Sequence, residues 1–164
     1  NLSDLKIIFL LLIIAVFGYY NISFLIHPLK WDFIDQAYPY RYFISECISN
    51  NIFPYWLPFQ HLGIPVCADP QSGVWYPLTW FISLLGGYNI YTISFEYIFH
   101  IFLAGTGFYF LSKTFGFKQW IAFVLAVSYM FSGFIVGNSQ HIYYIISAAW
   151  VPFVLNNYVE NCQL

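Results

Sequence analysis

WDFIDQAYPYRYFISECISNNIFPYWLPFQHLGIPVCADPQSGVWYP, residues Trp31 to Pro77, decides how this chain is read. The run is dense in proline, tryptophan and ionisable side chains. On both sides of it lie apolar segments long enough to cross a bilayer, for which about 20 residues suffice. Polar sequence of this kind between apolar segments points to a site at the membrane surface. Spanning segments alone would not need it.

Composition supports that frame. The chain is 60% hydrophobic, 24% aromatic and 7% charged. A soluble domain carries about a quarter of its residues charged, so the expected class is an integral membrane protein. Net charge is −2 with no basic run, which argues against nucleic acid as a partner. Cys47, Cys67 and Cys162 show neither metal-ligand nor CxxC spacing. Cys47 and Cys67 fall on the same side of the membrane and could pair, although isolated apolar thiols are the simpler reading.

Four spans are expected: 5–26, 88–111, 119–136 and 142–158. The whole is an all-α polytopic membrane domain over 1–164. The segment 27–87 forms one long extracytoplasmic loop with interfacial helices. Pro152 inside the fourth span is tolerable where a neighbour re-satisfies the freed carbonyl. Lys113 and Lys118 mark the link between spans two and three as cytoplasmic, and Lys6 puts the N-terminus on the same side. Without an initiator Met at Asn1 or a tail after Leu164, the chain reads as the N-terminal part of a longer protein.

Within the loop, Tyr40, Phe43, Ile44, Cys47 and Ile48 share one helical stripe. Arg41, Ser45 and Ser49 fall opposite. This spacing predicts an amphipathic helix in the interface plane, with Arg41 facing outward. Prolines 54, 58, 65, 70 and 77 forbid long helices beyond it. Trp56, Trp75 and Trp80 are expected at headgroup depth. Residues 76–85, apolar but short, predict an interfacial or re-entrant helix ending at Gly86-Gly87.

Several groups could carry chemistry. Asp32 and Asp35, just after the first span, could take a proton from a hydroxyl, hold a divalent cation, or cap a helix. Arg41 suits a phosphate or carboxylate, or a lipid headgroup. Asp69 in ADPQSG fits an Asx turn equally well. Glu96 and His100 are spaced i, i+4 inside a span, where ionisable groups are costly and functional by default. His141 falls at the outer end of a span, and interhelical hydrogen bonding is the plain alternative for both histidines. Gly105 to Gly107 and Ser132-Gly133 read as close-packing positions.

The pattern D-x3-Q-x2-P-x-R (Asp32, Gln36, Pro39, Arg41) precedes a proline-rich run. That run matches P-x-W-N-P-x4-G-x-P-x2-A-x-P-Q-S-x3-Y-P from Pro54 to Pro77, with Leu57 in place of Asn. Next come H-x2-L-A-G-x-G-x-Y (His100 to Tyr109), F-S-G-F (Phe131 to Phe134), His141 and A-W-V-P (Ala149 to Pro152). Together these resemble the YfhO-type bacterial membrane proteins, similar in turn to the GT-C superfamily of membrane glycosyltransferases.

The resemblance implies a multi-pass protein of the bacterial cytoplasmic (inner) membrane. It would move sugar from a polyprenyl-phosphate donor to a glycan or lipid acceptor on the outer side. Asp32 would be the general base, with Asp35 beside it as an additional acid. Gln36, Arg41, Trp56, His61, Asp69 and Gln71 would contact substrate, with Glu96, His100 and His141 as further candidates. Asp32, Asp35 and Asp69 could hold Mg²⁺ or Mn²⁺, though related chemistry proceeds without metal. Membrane lipid and a C-terminal part of the same protein would complete the donor cavity, so the fragment alone is not expected to be active. Two other readings remain: a transporter or flippase-like protein relaying protons through Glu96 and His100, and a non-catalytic assembly subunit.

Overall fold

Residues 2–162 are described here by a computed structural model. Among them every regular element is helical, and the one β-bridge joins Leu57 and Ile64. The chain divides into two compact units. One takes the residues up to His27 together with those from Phe95 onward; the other is Pro28–Ser94.

The first unit holds α1 (Leu2–Gly18), the short α2 (Tyr20–Ser23), most of α5 (Ile90–Thr114), α6 (Gln119–Met130), α7 (Gly133–Gly137) and α8 (Ile142–Cys162). Among the described residues, two stretches are long and apolar enough to cross a membrane: Gln119–Gly137, with mean hydropathy 1.9, and Ile142–Cys162, with 1.2. The expected span 5–26 is instead α1, of 17 residues, with a break before α2. Tyr19 sits at that break, its ring stacked on Phe131 at 5.2 Å and edge-on to Tyr97 at 5.9 Å. α5 has 25 residues, about 37 Å at about 1.5 Å each. It carries Glu96 and His100, and among the described residues the two later stretches are the ones that meet both criteria.

Polar side chains tie these apolar helices to one another. Tyr19 donates to the carbonyl of Met130 at the end of α6, an acceptor the helix itself cannot satisfy (2.7 Å). Asp4 accepts from Tyr109 at 2.5 Å and from Lys113 at 2.9 Å, tying the start of α1 to the end of α5. Its carboxyl is held below the usual value first by the Tyr109 hydrogen bond and then by Lys113. Pro152 in α8 cannot donate to the carbonyl of Ala148, and Tyr129 of α6 supplies that bond instead at 2.9 Å. The neighbour invoked from sequence is therefore Tyr129.

The glycine motifs separate. A Cβ at Gly105 would collide with the Sδ of Met130, and one at Gly107 would come within 2.7 Å of the Phe153 ring. These are close-packing positions against α6 and α8. Gly133 has open space around it, so the packing reading of Ser132-Gly133 is corrected. Ser132 caps the start of α7, its hydroxyl accepting from the N–H of Ile135 at 3.5 Å.

The second unit has its own core. α3 (Tyr38–Ser49) and α4 (Pro77–Leu84) pack together. Tyr40, Ile44 and Ile48 of α3 meet Leu57, Val66 and Val74 from the proline-rich path. Burying a side chain of this size is worth about 1.5–3 kcal/mol, so a segment with almost no helix between Ser49 and Pro77 is ordered by tertiary contact. Its one helical piece there is a single 3₁₀ turn, Val66–Ala68. α4 ends before Gly86-Gly87, both at positive φ, where glycine is the residue without a Cβ penalty.

Candidate functional site

The candidate residues of the second unit begin in a wide helical turn. Phe33–Ala37 is π-helical, and the N–H of Tyr38 reaches back five residues to the carbonyl of Phe33. Pro39 offers a reason: it has no N–H with which to close an ordinary turn onto Asp35. Asp32 precedes this turn, half-buried, and its side chain makes no capping bond to it. Asp35 is exposed within it.

From this turn into α3, three side chains reach the ADPQSG loop. The amide of Gln36 donates to the side-chain oxygen of Gln71 at 2.9 Å. The Tyr40 hydroxyl donates to the Oδ2 of Asp69 at 3.0 Å. Nη1 of Arg41 donates to the carbonyl of Ser72 at 2.7 Å. The loop also folds on itself: Oδ1 of Asp69 accepts from the N–H of Gln71 at 2.8 Å, the Asx turn its sequence allowed. The Ser72 hydroxyl donates to the Asp69 carbonyl at 2.8 Å. Segments some 30 residues apart in the chain thus form one hydrogen-bonded unit.

Arg41 requires a correction. It was expected on an outward face, but it is buried, with its guanidinium near the Tyr88 ring at 6.0 Å and against Gly73. The inward face of α3 is Tyr40, Arg41, Ile44, Ser45 and Ile48. Ser45 belongs there because its hydroxyl accepts from the N–H of Tyr88 at 3.2 Å. Phe43 and Cys47 are half-buried at the edge, and Ser49 is exposed as expected. The buried guanidinium holds the loop through its backbone partner.

Tyr40, read from sequence as part of an apolar stripe, becomes a polar contact of the loop. Burial, and then its bond to Asp69, pushes its hydroxyl pKa up. Its i+4 spacing from Gln36 was the signal that could have found it. Trp56 and Trp75 are exposed, the latter donating to the Cys67 carbonyl at 2.8 Å. Trp80 is half-buried and donates to the Val74 carbonyl at 2.6 Å, so it is a core residue and not a headgroup anchor. His61 is exposed in a turn, with positive φ at both His61 and Leu62.

In the first unit, Glu96 and His100 are fully buried on α5. Nδ1 of His100 pairs with the backbone carbonyl of Glu96 at 2.6 Å. Since a carbonyl only accepts, Nδ1 carries a proton in this contact. His141 is half-buried, with its Nδ1 3.0 Å from the Tyr143 hydroxyl and its Nε2 3.2 Å from the Gln140 amide. These contacts fit hydrogen bonding within the helix end.

Among the described residues no three His, Cys, Asp or Glu side chains come together as a metal-holding group. Asp32, Asp35 and Asp69 therefore do not assemble the cation site their sequence allowed. Cys47 and Cys67 are both free thiols. Burial, followed by the charge of Glu46, raises the thiol pKa of Cys47. No protein-family model, curated protein or solved structure matches this chain.

Proposed function

We propose that this protein is a membrane glycosyltransferase of the YfhO and GT-C type. It would use a polyprenyl-phosphate sugar and act on a glycan or lipid hydroxyl at the outer face of the bacterial inner membrane. On this reading the chain has four passes and its N-terminus is cytoplasmic. The observation that supports it is the interlock of the two segments that carry the resemblance: Gln36 with Gln71, Tyr40 with Asp69 and Arg41 with Ser72. These contacts hold the loop against Gln36, four residues after Asp32 in the chain, and rigid placement is what positional catalysis requires.

Asp32 is the base in this scheme, because it is half-buried where Asp35 is exposed. The acceptor hydroxyl gives its proton to the Asp32 carboxylate. Its oxygen then bonds to the anomeric carbon, the bond from that carbon to the phosphate oxygen breaks, and polyprenyl phosphate leaves. Removing a general base costs about 10²–10⁴-fold in rate. Arg41, Tyr40 and Gln36 are positioning residues that hold the loop.

The alternative is transport, favoured by the complete burial of Glu96 and His100 on α5. One comparison separates the two. Membranes carrying the natural protein are assayed for sugar transfer from polyprenyl-phosphate donors with wild type, Asp32→Asn, Asp35→Asn and Glu96→Gln. Transfer that falls at least about 100-fold in Asp32→Asn, and little in Asp35→Asn, supports the enzyme and its base. Absence of transfer with every donor overturns it. Solute movement lost in Glu96→Gln but kept in Asp32→Asn supports the transporter.

A further inference from the structure

The residues of α3 left out of the loop contact line a different feature. A cavity of about 400 Å³ lies between α3 and the path that follows it, bounded by Tyr42, Phe43, Glu46, Leu57, Phe59 and Gln60. Its size falls within the range that small-molecule sites occupy. The rings of Phe43 and Phe59 stand 6.4 Å apart at 79°, forming an orthogonal aromatic corner. Phe59 is 82% exposed, so its ring is not held there by core burial.

Glu46 is the charged member of this lining. Its backbone carbonyl accepts from Ser49 and Asn50, but among the described residues its carboxylate has neither a hydrogen bond nor an ion pair. The nearest basic side chain along the helix, Arg41, is buried on the other stripe with Ser72 as its partner. A carboxylate lining the same cavity as two aromatic rings complements one ligand chemistry in particular. Ring faces attract cations through their quadrupole, and a carboxylate neutralises the same charge. A phosphate or fatty-acid carboxylate would be repelled, and an uncharged apolar group would leave Glu46 unused.

We infer that this cavity is a binding site for an organic ammonium group carrying small apolar substituents. The site stands apart from the transferase reading, since neither Glu46 nor Phe59 has a part in the transfer scheme. Two sources supply the chemistry: a free solute and a lipid headgroup.

The test uses the chain in nanodiscs of phosphatidylglycerol, with choline as the probe and ligand-observed NMR as the readout. 3,3-Dimethyl-1-butanol, the uncharged isostere, is the control. The site is expected to bind choline at least about tenfold more tightly than the isostere. Glu46→Gln and Phe59→Leu should each weaken choline at least about fivefold while leaving circular dichroism and the unfolding temperature unchanged. Both positions are exposed, so neither change opens a hole in the core. Absence of choline binding, equal binding of the isostere, or indifference to Glu46→Gln overturns the inference. Loss of choline binding in phosphatidylcholine nanodiscs supports a headgroup ligand; binding that persists there supports a free solute.

Discussion

Nη1 of Arg41 donates a 2.7 Å hydrogen bond to the carbonyl oxygen of Ser72, 31 residues further along the chain. Arg41 is 2% exposed, and burying such a charge is unfavourable unless its hydrogen bonds are supplied. The loop supplies one, and the Tyr88 ring adds a cation–π contact at 6.0 Å. Charge and loop are therefore interdependent: each is stable in place only while the other is present.

Gly73 is where that dependence is sharpest. Its φ is +72°, and a Cβ there would overlap the Arg41 guanidinium. Gly73→Ala should lower stability by about 2–4 kcal/mol, from backbone strain and loss of the Arg41 contact together. Arg41→Met should cost about 1–3 kcal/mol by leaving the Ser72 carbonyl without its donor. Limited proteolysis between residues 68 and 73 checks both, with cleavage accelerated in each variant. Wild-type resistance in Gly73→Ala would show that the contact does not hold the loop.

Tyr40 makes stability depend on pH at the alkaline end. Its pKa is raised in the folded state by burial and by the bond to Asp69. The neutral phenol is thus the form the fold favours. The associated stability is fully present below the unfolded value of about 10 and lost as pH rises through the higher folded value. Tyr40→Phe should cost about 0.5–1.5 kcal/mol at neutral pH and flatten the decline above pH 10. Unfolding midpoints from pH 8 to 12 decide it, and parallel curves for the two proteins would count against the assignment.

The Tyr129–Ala148 bond predicts coupling with Pro152. Tyr129→Phe removes the donor that replaces the missing N–H of Pro152, at a cost of about 1 kcal/mol. In Pro152→Ala the helix regains its own bond to Ala148, so the same tyrosine change should matter much less. A double-mutant cycle of thermal stability in detergent should give a coupling of at least about 0.5 kcal/mol. Additive effects would show that Tyr129 does not compensate for the proline.

Thiol labelling separates Cys162 from Cys47. Cys162 is exposed, whereas Cys47 is half-buried with its thiolate disfavoured by burial and by Glu46. At pH 8, Cys162 should react with a charged disulfide reagent at least about tenfold faster than Cys47. Mass spectrometry of single-cysteine variants gives the rates. Glu46→Gln should speed Cys47 modestly, and a slower reaction in that variant would contradict the electrostatic part.

Much of the local structure was legible in the residues. Pro77 opens α4, and Pro54, Pro58, Pro65 and Pro70 stand in the path before it that is nearly without helix, because proline fixes φ and removes a donor wherever it stands. Gly86-Gly87 marked the end of α4 for the same kind of local reason. The Asx turn at Asp69 needs only its neighbour two residues on. The break at Tyr19 was not legible, since Phe131, Tyr97 and the Met130 carbonyl engage it from distant parts of the sequence.

The sequence by itself determined composition and punctuation: an apolar, aromatic, helical chain interrupted by a proline-rich segment. These follow from side-chain transfer energies and backbone sterics, which each residue carries with it. Only the tertiary structure decided which polar groups are buried and with what. Arg41 and Ser45 face inward because Ser72 and Tyr88 meet them there, and Ala148 tolerates Pro152 because Tyr129 lies alongside. Burying a polar group becomes tolerable only when its partner is present. That partner is fixed by the fold, at a distance no local pattern of residues encodes.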